Sequence, residues 1–66
     1  MNNFIEVHDL MGEPISININ HICGYKAEGM GTYITTTSGT TYIAKESYKE
    51  IRCIIHDTTN SMISKF

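Results

Sequence analysis

Apolar residues recur at every second position between Ile15 and Ile19, where Ile15, Ile17 and Ile19 alternate with Ser16, Asn18 and Asn20. That period puts the isoleucines on one face of a strand and the polar residues on the other. A weaker alternation over Phe4-Ile5-Glu6-Val7-His8-Asp9-Leu10 predicts an earlier strand with Ile5 and Val7 inward. Met11-Gly12-Glu13-Pro14 separates the two, and Pro14, which has no N–H to donate, suits the start of the second strand. Ile22 has the wrong parity to continue that face, so a bend or bulge is predicted at Asn20-His21. A third strand over 23–28 follows, and Gly29-Met30-Gly31 reads as an exposed connection with Met30 at its tip.

The stretch from Ile34 to Ile55 organises the rest. Ile34 to Thr37 and Thr40 to Ala44 read as a hairpin around Ser38-Gly39, because Gly39 tolerates the positive φ of a tight connection. Ser47 and Glu50 then form the S-x-x-E pattern of a helix N-terminus. Ile51, Ile54 and Ile55 follow at the spacing of one helical face. The polar run from His56 to Ser61 predicts that this helix ends near residue 57. The expected fold is α+β and mostly β: a twisted antiparallel sheet of four or five strands, open or barrel-like, with one C-terminal helix at about 47–57. Residues 1–57 form the domain and 58–66 a tail. The predicted core is Ile5, Val7, Ile15, Ile17, Ile19, Ile22, Ile34, Ile43, Ile51, Ile54 and Ile55.

Length and charge narrow the function. A chain of 66 residues buries only about 60% of the surface it exposes when unfolded, so a partner subunit or a metal would help its core. Seven acids against five bases give a net charge of −2, which supplies no field to attract a polyanion. Without a signal-peptide pattern or a long apolar run, a cytoplasmic location is expected, with Cys23 and Cys53 reduced.

Three sets of side chains carry candidate chemistry. His21 and Cys23 share a face if extended, and Cys53 and His56 share one if helical, so the four could supply tetrahedral zinc; the spacing matches no known finger. The plainer reading is two small hydrophobic thiols and two surface histidines. Lys45, Lys49 and Arg52 fall at i, i+4 and i+7 and could meet phosphates, although Glu46 and Glu50 are interleaved with them. Met62, Ile63 and Phe66 are a third set, apolar and suited to contact with a sheet or a second subunit. No nucleophile with an adjacent base, phosphate-binding loop or carboxylate pair is present, which argues against an enzyme. No cofactor is expected.

Residues 5 to 55 carry a resemblance. Asn18, Ile22, Gly39, Lys45, Glu46, Ser47 and Glu50 follow the pattern of the small FlbD/SwrD proteins of bacterial flagellar and swarming motility. In that family an Asn-x-x-x-Ile segment precedes a strand, and an Asn-Gly hairpin leads into Val-Lys-Glu-Ser at a helix start. Here Ile19 stands where the family often has proline, and Ser38 where it has the turn asparagine. The hairpin-to-helix order is also similar to part of the LytTR DNA-binding domain, without that domain's basic loops. The resemblance implies a non-catalytic interaction or accessory module, expected to self-associate. The alternatives are a LytTR-like nucleic-acid binder and a zinc-stabilised module.

Overall fold

The computed structural model describes residues 3–63 of the chain, with side chains through residue 59. Five strands and one helix follow one another: β1 (Phe4–His8), β2 (Pro14–Asn18), β3 (Ile22–Glu28), β4 (Gly31–Thr36), β5 (Thr41–Ala44) and α1 (Tyr48–Ile63). All strand pairs are antiparallel, and they form two sheets, β1-β2 and β3-β4-β5, in place of one continuous sheet. Among the described residues the strands do not close into a barrel.

The break between the sheets sits where the parity slips. Ile19–His21 form one 3-10 turn, started by the Asn18 side chain, which accepts from the Asn20 N–H at 2.9 Å. This local bond competes with strand pairing and explains why asparagine stands there. A second irregularity in β3, between Ile22 and Gly24, returns the chain to register with β4. The predicted bend is therefore shared between a turn and a bulge.

The β4–β5 connection is Thr37-Ser38-Gly39, one residue longer than a two-residue turn. Thr36 N–H donates to the Thr40 carbonyl at 2.9 Å, and Gly39 N–H to the Thr36 carbonyl at 3.0 Å. Gly39 takes φ +91°, the left-handed residue that closes a three-residue hairpin loop. At the other end of β4, a Cβ built on Gly31 would collide with the backbone carbonyl of Ala44. Glycine there lets β4 and the end of β5 touch.

Ile5, Val7, Ile17, Ile34, Ala44 and Ile51 form the buried core, with Ile15, Ile19, Ile22, Tyr25, Tyr42, Ile54 and Ile55 packed around it. Ile43 is the exception to the predicted set, at 41% exposed. The register opposes Ile43 to Tyr33 on the outer row, and Tyr42 and Ala44 to Ile34 and Thr32 on the inner one. Thr32 and Thr36 are buried in that inner row because their hydroxyls donate to the Glu46 and Thr40 carbonyls, at 2.8 and 2.9 Å.

The capping box forms as predicted, with Ser47 N–H donating to Glu50 Oε1 at 2.9 Å and Glu50 N–H to Ser47 Oγ at 3.2 Å. The helix runs to Ile63, through the polar residues expected to end it. Thr58 shows how such residues are tolerated: its hydroxyl donates to the Ile54 carbonyl one turn back, at 2.9 Å.

Candidate functional site

The end of β1, the loop after β5 and the first turns of α1 meet around one carboxylate. Glu46 accepts from the His8 N–H at 2.9 Å and from the His8 ring Nδ1 at 2.7 Å, using one oxygen for each. A carboxylate only accepts, so Nδ1 carries a proton. The Lys45 N–H donates to the His8 carbonyl at 2.7 Å, and the Glu46 carbonyl takes the Thr32 hydroxyl. The two sheets are thus tied at this end through residues 38 positions apart in sequence. The other imidazole nitrogen, Nε2, lies 3.7 Å from Glu6 Oε2.

Burial pushes the Glu46 carboxyl up. Hydrogen bonds from the His8 ring, the His8 N–H and its own N–H, with the charge of His8, outweigh that and leave it below its ordinary value of 4.5. The side chain is 15% exposed, so this is a half-buried pair in which removal of one partner strands the other.

Beside this clasp runs a groove of about 650 Å³, lined by Glu6, His8, Glu46, Ser47, Lys49, Glu50, Cys53 and Ile54. Three carboxylates make it acidic. They do not converge on one point, because Glu6 and Glu46 address opposite nitrogens of His8 and Glu50 caps the helix. Among the described residues no group of three or more His, Cys, Asp or Glu side chains is placed to hold a metal ion.

The sequence candidates are distributed differently from their predicted groupings. His21 ends the 3-10 turn with Nδ1 at 3.3 Å from the Thr37 hydroxyl, and Cys23 is exposed in the β3 irregularity. Cys53 and His56 do share a helical face, where both line a recess of about 240 Å³ with Lys49, Arg52 and Asp57. The four are not gathered into one metal-binding group. Lys45, Lys49 and Arg52 are all exposed, and Lys49 shares the acidic groove with Glu6, Glu46 and Glu50. Lys49 therefore sits beside acids in space as it does in sequence, whereas Arg52 lines the recess on the other side of Cys53. The backbone of Met62 and Ile63 belongs to α1, while their side chains and Phe66 lie outside the described residues.

Sequence reasoning missed His8. Its partner Glu46 had been marked by the resemblance, but a contact across 38 positions leaves no local spacing to read. The available signal was an imidazole on the wet face of β1, two residues from Glu6.

Among the described residues no helix is long and apolar enough to cross a membrane. No curated protein and no solved structure matches the chain. A family model described as "FlbD: Flagellar and Swarming motility proteins" matches residues 4–63, which takes in every strand and the whole of α1. The match extends past the resemblance over 5–55 at both ends and covers the Glu46–Ser47 segment on which the clasp and the cap depend. The chain belongs to the FlbD family of flagellar and swarming motility proteins.

Proposed function

We propose that this protein is a non-catalytic, self-associating interaction module of the cytoplasm, serving the flagellar or swarming apparatus named in its family's description. The observation that carries the reading is the imbalance between a small core and what surrounds it. Among the described residues six apolar side chains are buried, while Phe4, Leu10 and Ile43 remain 51%, 48% and 41% exposed. Strands β1, β2, β3 and β5 each have one neighbour within their sheets, which leaves edges suited to contact with another chain. A core of this size gains from a second subunit. Met62, Ile63 and Phe66 are further candidates for the contact by their apolar composition alone.

Sedimentation equilibrium of the untagged chain tests the reading. A mass at a multiple of 7.4 kDa is expected. A 7.4 kDa species at every concentration would contradict self-association and leave a heterologous partner to be sought.

A further inference from the structure

Successive residues of an α-helix are rotated by about 100°, so the solvent side of α1 has a centre and two flanks. Ile51 is fully buried, and Ile54 and Ile55 are packed against the core beside it. Cys53, two residues from Ile51, falls on the opposite side and is exposed. One flank is the acidic groove, where Glu50 joins Glu6 of β1 and Glu46 of the preceding loop. The other flank carries Arg52 and His56, with Lys49 close to the centre line and one acid, Asp57, lining the same recess from the Glu50 side of the helix. Cys53 and Lys49 line both hollows. The helix surface is thus richer in acids on one side of a short side chain and richer in bases on the other, with Lys49 and Asp57 near the boundary.

We propose that α1 pairs with α1 of a second copy of this chain, side by side and pointing the same way, about a two-fold axis parallel to the helices and passing beside Cys53. This rests on the self-association reading and adds the surface and its geometry. A two-fold parallel to the helices brings each flank against the opposite flank of the partner. Lys49 and Arg52 of one copy then meet the Glu6 and Glu50 side of the other, and the contact is made twice. The opposite-direction pairing brings each flank against its own kind, so Glu50 and Asp57 of both copies would crowd together. Charge therefore selects the direction as well as the surface. A small residue at the centre lets the helix axes come close.

Cross-linking the full chain with a short bis-maleimide tests the surface, because the two exposed thiols lie on different elements. The cross-linked dimer should persist in Cys23→Ser and disappear in Cys53→Ser. Direction is tested by Lys49→Cys in a Cys23→Ser, Cys53→Ser background. Helices pointing the same way bring both copies of position 49 to one level and give a cross-link. Opposed helices centred on position 53 separate them by about 12 Å along the axis and do not. Lys49→Glu should raise the dimer Kd about tenfold, and Lys49→Glu with Glu6→Lys should recover it. Arg52→Glu provides a second reading at the same flank. A dimer that cross-links only through Cys23, or whose Kd ignores both charge reversals, overturns this surface while self-association stands. A monomer at every concentration removes both.

Discussion

The two flanks of α1 differ in what their charges are already doing. On the acidic flank the carboxylates work inside the molecule. Glu46 holds His8 through two hydrogen bonds, Glu50 closes the capping box and Glu6 lies 3.7 Å from the His8 ring. On the basic flank, Lys49 and Arg52 are exposed, and neither forms an ion pair with another described residue. The difference teaches that acids placed by the fold double as a negative surface, whereas these bases cost the fold nothing and are available to a neighbour. Substitutions of Glu46 and Glu50 should therefore read out first as stability, and those of Lys49 and Arg52 as association.

The largest break lies beneath the acidic flank. Gly31→Ala drives a Cβ into the Ala44 carbonyl, at the point where β4 touches the end of β5 and the clasp begins. A loss of about 3 kcal/mol or more in urea unfolding is expected, since the obstacle is backbone. A change below about 1 kcal/mol would show that the strands part easily there.

Glu46→Ala should cost about 2–3 kcal/mol by the same measurement, because it strands a half-buried imidazole and a backbone N–H together. Its pH dependence has a defined sign. A carboxyl held below its ordinary value stabilises the fold above that value, so the contribution is present above pH 4.5 and is lost as pH falls from there through the lower value of the folded state. Melting temperature in acid should drop less steeply in Glu46→Gln than in the natural chain. Parallel acid profiles would place the tie elsewhere.

Ser47→Ala removes one side of the capping box and should cost about 1 kcal/mol. Lys49→Glu is the smallest in stability, within about 0.5 kcal/mol of the natural chain, although it changes the charge of the molecule by two. A larger loss in the isolated fold would mean that Lys49 serves the interior after all.

Local physics made much of this arrangement readable. The capping box at Ser47 and Glu50, the strand face of Ile15 and Ile17 and the exposure of Met30 all depend on residues within a few positions of one another. What escaped was set by distant partners. Ile43 is apolar and strand-forming, but its face was decided by the register against Tyr33, which a loop one residue longer had fixed. The parity slip after Asn20 was legible, but its consequence, two sheets in place of one, was not. The helix end was misjudged because Thr58 bonds back to Ile54, so a residue that is a poor helix former in isolation is accommodated. The site followed the same rule. Glu46 stood out by its pattern, whereas His8 became visible only when folding brought it across 38 positions.

Sedimentation equilibrium of Arg52→Glu beside the natural chain, at low salt where surface charge is least screened, tests the division of labour between the flanks most directly. The account predicts a dimer for the natural chain and a shift toward 7.4 kDa for the variant, with both equally folded by circular dichroism. Equal dimerisation of the two would contradict it.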